Sequence, residues 1–330
     1  MESLKPATLK ESIHATVAYF DLFDYPLTPH ELWTFLMYPP WVSVPLSIMD
    51  VLDASMVMEE LEWIKGFVCL KGKGGHVQER IDRYLIAERK MNRALRFARA
   101  CAYVPGVAMI AVCNTLAFSN SRDSSDIDFF IVAKRGYLWF ARASAIVLSM
   151  LFGKRLSERH IRDALCLSFF ADDATLDFAG LSIPKHSGID DVYLAVWVSR
   201  CVPLYNERGT YERFWRCNAW SQQILPNRLE YVPNHMRRIR LPRHAQSLKR
   251  ALTAILAVWQ QSIECACRAI QRKKFPDDIR RAAVQADSGV VITDSILKFH
   301  LNDRRFEFRD AFCERLRLYR KNSRKMYDTN

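Results

Sequence analysis

Residues 111–132 read AVCNTLAFSNSRDSSDIDFFIV. Two apolar runs meet there across a polar loop. VAMIAVC, ending at Cys113, and DIDFFIVA, ending at Ala133, have the length and the branched or aromatic content of buried strands. Asp126 and Asp128 stand at the head of the second run with Ile127 between them. On a strand, residues i and i+2 share a face, so the two carboxylates would lie side by side, about 7 Å apart at their Cα atoms. An aspartate pair leading directly into a core strand is costly to keep. That placement suits one or two magnesium ions bridging the phosphates of a nucleotide. The plainer alternative is two aspartates that merely begin a strand beside a loop.

Working outward, a third apolar strand, ALCLSFFA, follows a predicted helix over 137–152. Strands alternating with helices indicate an α/β or α+β core. Upstream, LKESIHATVAYFDLF has helical spacing, Pro26 breaks it, and Thr28 with Glu31 predicts a capping box on the next helix. A Pro-containing gap from Tyr38 to Pro45, a third helix near 46–63 and an extended pair around FVCLKG complete the order of a winged helix. A basic helix over 78–102 connects this unit to the strands. From about Ala245 the chain reads as mostly helical, with one β-like patch at GVVIT. Three regions result: a winged-helix-like domain at 1–77, a central domain at 78–225 and a basic helical C-terminal region at 226–330.

The net charge of +12 is not evenly spread. Residues 1–225 hold 25 basic and 25 acidic side chains, and residues 226–330 hold 23 and 11. Residues 1–62 alone carry a net −8. Phosphate contacts dominate DNA affinity, so this acidic segment is expected to pack on its neighbour or bind a protein rather than duplex DNA. The C-terminal third, where MRRIRLPRH, QRKK and RLRLYRKNSRK cluster, is either a solvated helix face or a surface that recruits an anionic acceptor such as RNA. The nine cysteines are odd in number and lack zinc-ligand spacing. They read as reduced thiols of a cytoplasmic protein. The longest apolar run, about ten residues near 143–152, is too short to span a bilayer, and the N-terminus has no apolar stretch of the signal-peptide kind.

The spacing of strand, short polar pair, polar loop and S-D-x-D-h-h-h-h resembles the signature of the DNA polymerase β-like nucleotidyltransferases. The wider chain is similar to a bacterial and archaeal group with that domain behind a winged helix. YFDLFDYPLT, VPGVAMIAV, KRGYLWFAR, VPLYNERGTYERF and ILPN carry the likeness over most of residues 10–227, with an echo at LKFHLNDRR. The resemblance implies an α+β fold with a mixed-sheet nucleotidyltransferase core. It implies transfer of a nucleoside monophosphate from a nucleoside triphosphate to an acceptor, with Mg2+ on Asp126 and Asp128. It gives Asn114 and Thr115 the place of a Gly-Ser pair that binds phosphates, and Ser125 the place before the ligands.

Two departures stand out. Asn114 replaces a glycine, adding a side chain where a nucleotide would approach, although Asn tolerates the left-handed turn. The family's third carboxylate has no counterpart within ALCLSFFADD, where Cys166, Ser168 and Phe170 alternate on one face; Asp163, Asp172 and Asp173 lie only at its ends. Lys134 is a candidate triphosphate contact, or else a solvated loop residue. Tyr193, Tyr205, Tyr211 and Trp215 are candidates for base stacking, or core aromatics. His300, Asp303, Arg304 and Arg305 form either a capping turn or a cover for the site. A nucleic-acid-binding regulator and an inactive adaptor remain the functional alternatives.

Overall fold

The computed structural model describes residues 3–39, 46–152, 162–285 and 289–328, with side chains through residue 322. Most of the Pro-containing gap after Tyr38 and the end of the RLRLYRKNSRK cluster therefore lie outside the described residues. The chain opens with α1 (Leu9–Asp21), α2 (Pro29–Thr34) and α3 (Ile48–Met56), then the antiparallel hairpin β1 (Leu61–Ile64) and β2 (Phe67–Leu70). The capping box forms as expected. Thr28 Oγ1 accepts from the Glu31 amide at 3.3 Å, and the Glu31 carboxylate accepts from the Thr28 amide at 3.0 Å.

Next come α4 (Gly75–Ala102), β3 (Val107–Val112), α5 (Asn114–Ala117), β4 (Ile127–Ala133), α6 (Leu138–Leu151), β5 (Leu165–Asp172), α7 (Val192–Arg200), β6 (Val202–Asn206) and α8 (Thr210–Cys217). The remainder holds α9 (Arg243–Ala257), α10 (Gln260–Lys273), α11 (Asp277–Ala282), β7 (Val290–Ile292), β8 (Ile296–Phe299) and α12 (Arg305–Asp328). The fold is α+β, with a mixed six-stranded sheet in the order β6-β3-β4-β5-β8-β7. Only β4 and β5 run parallel, and the other neighbours are antiparallel.

Both faces of the central strands are covered, which is why VAMIAV and DFFIVA read as near-continuous apolar runs. Ile127, Phe129 and Ile131 face α4 and α6 in one core. Phe130 and Val132 face α7 and α8 in the other, where Trp197 and Phe214 pack around Phe130. No described helix is long and apolar enough to cross a membrane.

Two strands depart from the sequence expectation. Pro203 lies in β6, an edge strand, where a residue without a backbone N–H is tolerated. The stretch ILKF, which overlaps the start of KFHLNDRR, supplies β8, which pairs with β5 through Phe169↔Lys298 to Ala171↔Ile296. The C-terminal region therefore contributes β7 and β8 to the central sheet as well as helices.

The N-terminal unit shares its core with the rest of the chain. Ile13, Val17, Tyr19 and Phe35 pack with Ile189, Val192 and Val196 near α7, and with Phe312 and Leu316 of α12. Tyr19 meets the Phe312 ring edge-on at 5.4 Å. Its acidic segment thus packs on its neighbours, and Asp21 takes Arg315 at 2.5 Å. Phe312 is 1% exposed, so Phe312→Ala is expected to cost about 3–5 kcal/mol. Urea denaturation followed by far-UV circular dichroism would read this, and a loss below about 1 kcal/mol would show that the α1–α12 contact is not part of the core.

Candidate functional site

The site grows from the loop between α5 and β4. Lys90, on α4 and 1% exposed, points its ammonium group into that loop. It donates to Ser125 O at 2.6 Å, Asp123 O at 3.2 Å and Asp163 Oδ1 at 2.9 Å. Asp163 also pairs with Arg93 at 2.6 Å. Backbone bonds close the same seam: Asp163 N donates to Ser125 O and Ile127 N to Ala164 O. Burial raises the Asp163 carboxyl, but the Lys90 hydrogen bond and the charges of Lys90, Arg93 and Arg89 outweigh it and hold the pKa below its ordinary value. Asp163 is therefore a structural anion. The signal for this was faint in sequence: one lysine among many on a basic helix.

Beyond the seam, Asp126 and Asp128 lie on the α7 side of the sheet. Their carboxylates and the Cys166 Sγ form a group whose ligand atoms are all within 4.8 Å of one another. Burial raises the Asp126 pKa, with the Lys90 charge opposing. Burial and then the Asp126 charge push Asp128 up to about 7, against hydrogen bonds from Asn114 and Cys166. Neither aspartate has an ion-pair partner within salt-bridge distance among the described residues.

Cys166 reaches this position through the parallel register of β4 and β5, just before an irregularity in β5. Asp128 lies opposite Cys166, but Phe130 lies opposite Phe169, so β5 holds one extra residue there. The alternation expected from the sequence is thereby corrected: Phe169 follows Cys166 onto the site face, and Phe170 turns into the opposite core. None of the flanking acids joins the pair. Asp172 accepts from the Ala174 amide at the far end of β5, and Asp173 accepts from the Arg135 amide.

The other expected residues divide. Asn114 sits at φ +53° at the start of α5, the left-handed turn that Asn accommodates. It hydrogen-bonds Asp128 and lies 3.5 Å from the Tyr193 hydroxyl. Thr115, exposed beside it, lines a cavity of about 100 Å³ with Tyr19, Phe23, Phe118, Tyr193 and Arg200. Ser125 turns its hydroxyl to Arg122 O at 2.9 Å, so it shapes the loop. Lys134 does not join the group. It lies six positions along β4 from Asp128, about 20 Å away, and pairs with Glu207 at 2.9 Å.

Of the aromatic candidates, only Tyr193 reaches the site. Tyr205 lies under Lys249, Tyr211 is core, and Trp215 is covered by Arg228. The KFHLNDRR turn does both things weighed for it. Asp303 accepts from the Arg305 amide at the start of α12. The same segment lines a second cavity, about 180 Å³, with His300 and Arg304 facing Asn114, Phe169 and Trp197.

No protein-family model, curated protein or solved structure matches the chain.

Lys90→Met removes one partner of a buried ionic group, which typically costs about 3–5 kcal/mol. With Arg93 and Arg89 still on Asp163, a loss of about 3 kcal/mol in urea denaturation is expected. The raised Asp128 carboxyl has a signed consequence for pH. It binds its proton more tightly folded than unfolded, so the stability it gives is present at low pH and is lost as pH rises from about 4 to about 7. Asp128→Asn is therefore expected to raise Tm at pH 8 and to leave it nearly unchanged at pH 4. An equal Tm shift at both values would contradict the burial of this carboxyl.

Proposed function

We propose that the chain is a divalent-metal-dependent nucleotidyltransferase. It would move a nucleoside monophosphate from a nucleoside triphosphate to an acceptor and release pyrophosphate, with an N-terminal unit of the winged-helix kind serving as packing partner. The observation that carries this is the Asp126–Asp128 couple, without an ion-pair partner among the described residues, whose Asp128 is hydrogen-bonded by Asn114, a residue that lines two cavities together with Tyr193 and Trp197. Two like charges held together in a partly desolvated place, each with its pKa raised, mark a site built for a cation. Both carboxylates fit a divalent ion.

A divalent cation bound there would neutralise charge at the reacting phosphate and align it. The chain's own residues do the rest. Asp126 and Asp128 hold that ion on a strand fixed by the core. Thr115 offers an exposed hydroxyl to the outer phosphates, and the Asn114 amide orients Asp128. Tyr193 and Phe118 give a planar base an aromatic wall. Lys90, through Ser125 and Asp163, keeps the loop registered and has no contact with substrate.

The MRRIRLPRH cluster of the basic C-terminal region lies elsewhere. Arg237 pairs with Glu88 on α4. Arg238, Arg240 and Arg250 gather with Arg208 beyond the end of β6 that carries Asn206 and Glu207. Val112, next to Cys113 and the site, pairs with Val202 at the opposite end of that strand. An anionic acceptor held on that patch, RNA included, would sit away from the aspartates, so the acceptor is assigned to the cavity lined by His300, Asn302 and Arg304.

The test is release of labelled pyrophosphate from nucleoside triphosphates across a panel of divalent cations and acceptors. Asp126→Asn and Asp128→Asn should each lower turnover by ~10³-fold, the loss of several kcal/mol of transition-state stabilisation, with an unchanged circular dichroism spectrum. Turnover at the parent rate in either folded variant sinks the proposal.

A further inference from the structure

The donors around Asp126 and Asp128 are not all oxygen. Cys166 is brought opposite Asp128 by the parallel pairing of β4 and β5, and its sulfur belongs to the same 4.8 Å group as both carboxylates. The thiol is 7% exposed, held by a rigid strand between Leu165 and the β5 irregularity. Its recorded neighbour outside the group is the Ser168 hydroxyl at 3.3 Å.

Magnesium takes near-octahedral oxygen ligands and does not favour thiolate, whereas thiolate selects borderline and soft cations. Two carboxylates and one thiolate make three protein ligands. With a fourth position left open, that is the count found at catalytic zinc sites. The Asn114 side chain bonded to Asp128 supplies the outer hydrogen bond that fixes a ligating carboxylate.

We infer that Asp126, Asp128 and Cys166 form a single three-ligand site that selects a thiophilic divalent cation of the zinc class over the magnesium expected from the sequence. Binding releases the thiol proton: the Cys166 S–H bond breaks, its proton goes to solvent, and the electron pair left on sulfur forms the S–metal bond. The inference deepens the proposed function by naming its metal, but metal binding does not depend on nucleotidyl transfer.

The experiment uses the full metal-free chain and Co2+ as the probe. The parent should develop a near-ultraviolet thiolate-to-cobalt charge-transfer band, and Zn2+ should displace it. Cys166→Ser should lose that band and bind Zn2+ at least ~10-fold more weakly. The eight other cysteines are shared by both proteins, so the difference spectrum belongs to Cys166. Cys166→Asp should shift preference toward Mg2+. The Asp126→Asn/Asp128→Asn variant, which keeps the thiol, reads the same question from the carboxylate side and should also lose the band, so a misfolded Cys166 variant does not leave the matter open. An unchanged band and Zn2+ affinity in Cys166→Ser, or a full band in the double Asn variant, overturns the inference. A Cys166-dependent band with no pyrophosphate release under any cation would keep the metal site and remove the transferase. Mg2+-driven release without that band would do the reverse.

Discussion

One buried ammonium group organises this molecule's candidate site. Lys90 brings a full charge into the core and gives it three oxygens, from Asp123, Ser125 and Asp163. Such a charge is tolerated in low dielectric only when its donors are all met. The geometry is therefore narrow: the loop before β4 and the residue before β5 must come to the same point on α4. That convergence sets the height at which Asp126, Asp128 and Cys166 stand. Arg89 and Arg93 repeat the theme nearer the surface, on Asp123 and Asp163.

The same network sorts the local acids into two kinds. Asp163 and Asp123 sit below their ordinary pKa: Asp163 because cations outweigh its burial, Asp123 chiefly through its hydrogen bond from Arg89. Asp126 and Asp128 sit above it, because burial, joined at Asp128 by the Asp126 charge, outweighs the opposing hydrogen bonds and, at Asp126, the Lys90 charge. Four aspartates within forty residues of sequence thus have opposite electrostatic roles. The parallel register of β4 and β5 adds a thiol to the second kind by setting Cys166 opposite Asp128.

Two ends of the sheet are chemically distinct. At one end, Asn114, bonded to Asp128, lines aromatic cavities walled by the N-terminal helices, α7 and the start of α12. At the other, Lys134, Lys249 and Glu207 pair among themselves, with the basic strap around Arg238 and Arg240 beside them. The charge excess of the C-terminal third was plain from composition, but its distance from the aspartates depends on how the chain returns to the sheet.

The sequence by itself determined the local features. Apolar run length made β3, β4 and β5 legible, Thr28 and Glu31 announced their capping box, and the period of two put Asp126 and Asp128 on one face. Asn114 in a left-handed turn was readable because few side chains accept one. These properties depend on neighbours in sequence, where steric and hydrogen-bonding preferences act directly. The tertiary structure decided the rest. β6 and β8 were hidden because edge strands are short, and a proline is tolerated at the margin of a sheet. Lys90 was one basic residue among many until burial made it the centre of a network. Lys134 lost its expected role because adjacency to a strand's end does not say which end. Cys166 gained one because the parallel register of β4 and β5 sets it opposite Asp128. Each of these rests on contacts between segments far apart in the chain, and the energy that selects them is packing and charge satisfaction in the assembled core.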